Sequence, residues 1–165
     1  MNIKDLLNKY IKDNLAEENF LKAKLSFREC ACGTYSSEEF DSSIDDYIIS
    51  HQKENKFQEL LFKYIDERKL KDSDVYNKVN IDRRLFSKIR SDENYHPSKE
   101  TVILLAFALK LNEDELLSLL ESASYSLPKN NVFDLIIRFC FINEIYEISD
   151  VNELLFDHNQ KVLNA

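Results

Sequence analysis

The sequence is poor in the residues that make tight turns. Its 165 residues include one glycine, Gly33, and two prolines, Pro97 and Pro128. An all-β fold needs many such turns, so the composition argues against that class. The lone glycine also leaves no glycine-rich loop to cradle a phosphate. Tryptophan is absent, and Cys30, Cys32 and Cys140 form an odd set unsuited to a disulfide framework. No stretch approaches the ~18 apolar residues of a membrane span. The opening MNIKDLLNKYIKDNL is too evenly charged for a signal peptide. The expectation is a cytoplasmic chain with reduced thiols and no membrane partner.

Hydrophobic residues make up 44% of the chain, which excludes wholesale disorder. They recur at helical spacing nearly throughout, so the expected class is all-α. Ile3, Leu6, Leu7, Tyr10 and Ile11 share one face of a first helix. In FLKAKLSFRECACGTYSS, residues Leu21, Ala23, Leu25 and Phe27 alternate with polar ones, as in a strand. No partner strand is evident, so strand and irregular helix both stay open up to Gly33. A helix is expected from Ser37, with Phe40, Ile44, Tyr47 and Ile48 as its stripe, and the polar run 50–56 reads as a boundary.

Beyond it, Phe57, Leu60, Leu61, Tyr64 and Ile65 mark a core-facing helix. Asp72 is placed to cap a short helix bearing Val75, Tyr76 and Val79, and Asn80 suits a left-handed turn. Asp82 is placed to cap a helix whose apolar side is Leu85, Phe86 and Ile89. Ser98, after Pro97, starts a helix with Val102, Leu105, Ala106 and Leu109 inward. Asn112 and Glu115 have capping-box spacing ahead of Leu116, Leu117 and Leu120. After Pro128, Phe133, Ile136, Ile137, Cys140 and Phe141 repeat the helical stripe, and Ser149 is placed to cap a last helix with Val151, Leu154 and Leu155.

The formal charge is −8, which disfavours non-specific attraction to nucleic acid. The charge is uneven. Residues 57–125 hold 11 basic and 13 acidic side chains, against 8 and 11 in 1–56 and 3 and 6 in 126–165. Within that middle segment, residues 78–90 hold Lys78, Arg83, Arg84, Lys88 and Arg90 against Asp82 alone. At 100° per residue, Arg83, Arg84 and Ser87 point away from Phe86 and Ile89, with Lys88 and Arg90 on the flanks. Such a face suits a major groove, since arginine reads guanine edges and serine and lysine serve base or phosphate. It also suits an acidic surface of a partner, or plain solvation.

Residues 70–117, LKDSDVYNKVNIDRRLFSKIRSDENYHPSKETVILLAFALKLNEDELL, resemble the helix-turn-helix domain of the lambda-repressor or XRE-like family. The resemblance is carried by the turn Asn80-Ile81-Asp82, by Phe86 and Ile89, by Pro97-Ser98, and by the run Thr101–Leu109. A closer resemblance, from about Phe57 to Leu163, is to a bacterial module with DSDVY, IDR and FSKIRS segments. That module also carries an appended segment, here Phe133–Ile137, Ile145–Ile148 and Asn152–Phe156. The resemblance implies a lambda-repressor-like five-helix domain over 57–125. It would follow an N-terminal helical segment, 1–56, and precede a two-helix C-terminal extension, 126–165. It implies a non-enzymatic bacterial regulator that binds double-stranded DNA, with a homodimer as the usual form. The alternative is an interaction adaptor that docks an acidic or apolar protein. The candidate contact residues are Arg83, Arg84, Ser87, Lys88 and Arg90, with Lys78 and Lys99 beside them. Three positions depart from the family: Asp72 stands where a phosphate-contacting Gln is usual, Tyr76 where a small residue packs, and Leu85 where a polar one lies.

No catalytic constellation is evident, and no cofactor is expected. Cys30-x-Cys32 lacks the second ligand pair of a structural zinc site, because His51, His96, His158 and Cys140 are scattered. Cys140 lies in a core stripe and reads as a small hydrophobe. Tyr125, Phe133, Phe139, Phe141, Tyr146 and Phe156 crowd the C-terminal segment, either to close the core or to form a partner surface.

Overall fold

The computed structural model describes residues 3–25, 57–92 and 95–163. The expected helix from Ser37, the Cys30-x-Cys32 pair, Gly33 and the boundary 50–56 lie outside these. The described elements are all helical: α1 Ile3–Leu25, α2 Phe57–Glu67, α3 Asp72–Lys78, α4 Arg83–Ser91, α5 Lys99–Leu109, α6 Glu113–Ser122, α7 Val132–Ile142 and α8 Ile148–Asp157. The chain is all-α in this sense. No described helix is long and apolar enough to cross a membrane.

Residues 21–25 continue α1, so helix prevails there over the strand alternative. A lone strand would leave its backbone groups unpaired, whereas a helix satisfies them internally. Only part of the first stripe is covered. Leu7 and Ile11 are buried, while Ile3 and Leu6 are 44% and 38% exposed. α1 packs on α7, with the Tyr10 and Phe139 rings 5.6 Å apart. Lys4 is 2.8 Å from Glu153 and 2.7 Å from Asp157 of α8.

α5 is the centre of the molecule. Every residue from Val102 to Leu109 is buried, the pattern of a helix surrounded on all sides. It packs against α3 and α6, while α2 lies on α6 and α8 on α7. One buried cluster runs from Leu7 to Leu163, so the three sequence segments contribute to a single core.

Local chemistry sets most helix ends. The Asp82 carboxylate accepts from Arg84 N at 2.6 Å, and Ser98 Oγ from Thr101 N at 3.2 Å. Asn112 and Glu115 form the expected capping box, both bonds 2.9 Å. Two expected caps are displaced. α3 is capped at Lys71 without a side-chain bond, and Asp72 lies inside the helix. α8 is capped at Glu147, and Ser149 sits in its first turn. In α6, Leu119 is buried and Leu117 only half-buried, a small rotation from the expected face.

The scarcity of glycine has a consequence at the other ends. Lys69, Asn80, Lys110, Ser124, Glu144 and Asn159 all adopt φ between 50° and 57°. Each lies just beyond a helix. At each, the next residue donates back to a carbonyl of the last turn, as in Ile81 N to Tyr76 O at 2.9 Å and Ile145 N to Cys140 O at 2.8 Å. The left-handed stops that glycine usually supplies are made here by side-chain-bearing residues.

Candidate nucleic-acid interface

α4 is oriented as its sequence period requires. Phe86 and Ile89 are each 2% exposed, and Arg83, Arg84, Ser87, Lys88 and Arg90 are exposed. Phe86 is packed between Phe62 of α2 and Tyr76 of α3, with ring centroids 6.1 and 5.5 Å away. A four-residue turn, Val79–Asp82, joins α3 to α4, and Asn80 supplies its left-handed step at φ 50°.

The two ends of α4 differ. At the C-terminal end the Arg90 guanidinium lies 2.7 Å from Asp72 and 4.2 Å over the Phe62 ring. Gln58 Nε2 donates to Ile89 O close by. Arg90 is therefore tied to both α2 and α3. Both partners are substantially exposed, so the pair positions α4 more than it stabilises the fold. Lys88 lies 4.6 Å over the Tyr95 ring. At the N-terminal end the Arg83 and Arg84 guanidinium groups and the Ser87 hydroxyl have no partner among the described residues.

The structure does not bring the remaining two candidates to this face as free charges. Lys78 Nζ donates to Ala108 O at the end of α5, at 3.2 Å. Partial burial, and then Lys110 nearby, lower its pKa. Lys99 Nζ is 2.6 Å from the buried Asp134 carboxylate on α7. Sequence reasoning missed two partners here. Asp72 is a ligand of Arg90, and Asp134 is a charge inside an apolar stripe. The second was visible as the one acid within VFDLIIRFCFI.

Beside the free end of α4 lies a cleft of about 570 Å³ lined by residues of α2, α3 and α4. Its apolar part is Ile65, Leu70, Tyr76 and Phe86, and Arg83, Ser87 and Arg90 line it from α4. These three fall at i, i+4 and i+7, one stripe of the helix. Arg84 and Lys88 lie outside the cleft.

Other polar groups are occupied structurally. Tyr125 Oη donates to Pro97 O at 3.1 Å and lies 3.4 Å from His96 Nδ1. His158 bridges Leu154 O and Asn8 Oδ1, joining α8 to α1. Burial pushes the Cys140 thiol up to about 12, as suits an inert core residue. No group of three potential metal ligands occurs among the described residues. In the C-terminal segment Phe139 and Phe141 are buried and Tyr125, Phe133 and Tyr146 pack against the core. Phe156, 74% exposed, is the exception.

No protein-family model, curated protein or solved structure matches the chain. The class rests on the architecture itself: described elements that are all helical and present a basic helix, anchored at one end and, among the described residues, unpartnered at the other.

Proposed function

We propose that the protein is a non-enzymatic regulator of the lambda-repressor-like helix-turn-helix kind, which binds duplex DNA through α4. One observation carries the reading. Arg83, Arg84 and Ser87 project from an exposed helix without a partner among the described residues, while Phe86, Ile89 and Arg90 hold that helix on its scaffold. Unpaired arginines on a pre-positioned helix suit bidentate contact to guanine and charge-assisted contact to phosphate. The Asp72–Arg90 pair lessens the repulsion that Asp72 would otherwise present to a phosphate. Two-fold dimers on half-sites about one DNA turn apart are the usual geometry for such readers.

A second reading has its own support. The chain carries −8 overall, and Lys78, Lys99 and Arg90 are engaged within the fold. A face with few free cations serves an adaptor that docks an acidic protein. Selection from a random duplex library, run beside a pull-down from host lysate, separates the two. DNA binding should return an enriched motif that Arg84→Ala relaxes by about 1–3 kcal/mol of discrimination. A library with no enriched motif, together with an acidic protein whose capture requires Arg84, would establish the adaptor instead.

A further inference from the structure

The cleft beside α4 contains more unsatisfied chemistry than a packing defect would. Tyr76 is half-buried there, and its hydroxyl has no partner among the described residues. Arg83 and Ser87, which line the cleft from α4, are equally unpartnered among the described residues. Leu70, a large hydrophobic residue, is 37% exposed and lines the same space. Two carboxylates also line it. Asp72 is neutralised by Arg90, and Asp66 is exposed, with Lys71 as a further lining cation. The volume, about 570 Å³, falls in the usual range for small-molecule clefts, and so does the mixture of an apolar wall with a few converging polar groups.

We propose that this cleft is an effector site for a small organic anion with an apolar body, an aryl or alkyl carboxylate. The body lies against Leu70 and Tyr76. The carboxylate accepts from the Arg83 guanidinium and the Ser87 hydroxyl, and Tyr76 Oη supplies a further donor. A bound anion would withdraw Arg83 and Ser87 from the face that α4 offers to DNA, while Arg84 and Lys88 stay in place. Occupation would therefore weaken duplex binding. That regulatory consequence rests on the DNA-binding reading, whereas the site itself does not.

The test uses the full chain and 3-phenylpropionate as probe, with 3-phenylpropanol as its neutral counterpart. Amide chemical shifts followed by NMR should move saturably around Leu70, Tyr76, Arg83 and Ser87. The alcohol should bind at least about tenfold more weakly, the size of one charge-assisted hydrogen bond. Arg83→Gln should weaken the acid by a similar factor, and Ser87→Ala by less, while Arg84→Gln should leave it unchanged. Equal binding of acid and alcohol, no saturable shift up to about 10 mM, or indifference to Arg83→Gln would overturn the site. Duplex binding is measured separately. Anion binding in a protein that binds no duplex would sustain the site and remove its regulatory role. Duplex binding that ignores a saturating anion would overturn that role even with the site confirmed.

Discussion

Lys99 Nζ lies 2.6 Å from Asp134 Oδ1, and the Asp134 residue is 1% exposed. The second carboxylate oxygen, Oδ2, is buried and has no hydrogen-bond partner among the described residues. The pair joins the start of α5 to the first turn of α7. A buried charge left without its counterion is strongly destabilising, while replacing both charges by apolar groups is often neutral. Lys99→Met alone should lower stability by about 3 kcal/mol in a urea titration, and Lys99→Met/Asp134→Leu should recover most of that loss. A single variant as stable as the native chain would show that the carboxylate does not depend on Lys99.

Phe86 fixes the rotation of α4. It is 2% exposed beneath the basic face, with Phe62 and Tyr76 as its ring neighbours. Phe86→Ala should cost about 3–5 kcal/mol, the range for aromatic truncation in a core. A loss under about 1 kcal/mol in denaturant would mean that the helix faces otherwise.

Glu144 stops α7 in the left-handed region at φ 56°, where its Cβ is a liability. Its replacement by glycine should raise stability by about 1 kcal/mol, seen as a higher thermal midpoint. An unchanged or lower midpoint would show that the unfolded chain's added freedom outweighs the relieved strain.

Acid should weaken the fold partly through Glu115. Burial acts to raise its carboxyl, but the Arg68 hydrogen bond and the Asn112 amide outweigh it and hold the pKa below the ordinary value. A carboxyl depressed in the folded state adds stability above its unfolded pKa, and that contribution is lost as pH falls through the folded value. Unfolding free energy should therefore decline as pH falls below about 4.5, the ordinary value for glutamate. Glu115→Gln should lower stability at neutral pH and flatten this acid limb. An identical acid limb in the variant would remove Glu115 from the account.

Salt dependence tests the α4 face directly. The affinity for a selected duplex should fall with salt on a log–log slope of about −0.9 per phosphate neutralised. Lys88→Ala should weaken all sequences alike and flatten the slope by about one unit. Arg90→Ala should change the slope less, because Arg90 is already paired with Asp72. A slope altered equally by both would mean that Arg90 leaves Asp72 on binding.

Much of the architecture was legible because its causes are local. Stripes such as Phe57, Leu60, Leu61, Tyr64 and Ile65, the Asn112–Glu115 capping box and the Asn80 turn all act within a few residues, at periods and offsets set by the helix itself. The basic face of α4 was legible for the same reason: burying Phe86 and Ile89 turns Arg83, Arg84 and Ser87 outward. The Asp72 and Ser149 caps were misplaced by a residue or two, since several acceptors compete at a helix start and packing selects among them.

Tertiary structure alone decided which cations remain free. Arg90 finds Asp72 across 18 positions and Lys99 finds Asp134 across 35, contacts that no local period encodes. It also decided that α1 docks on α7 and α8, and that Tyr76, Arg83 and Ser87, whose polar groups have no partner among the described residues, line one cleft. Side-chain period follows from the geometry of one helix. Pairing between helices depends on which of them the core brings together, and only the folded chain supplies that.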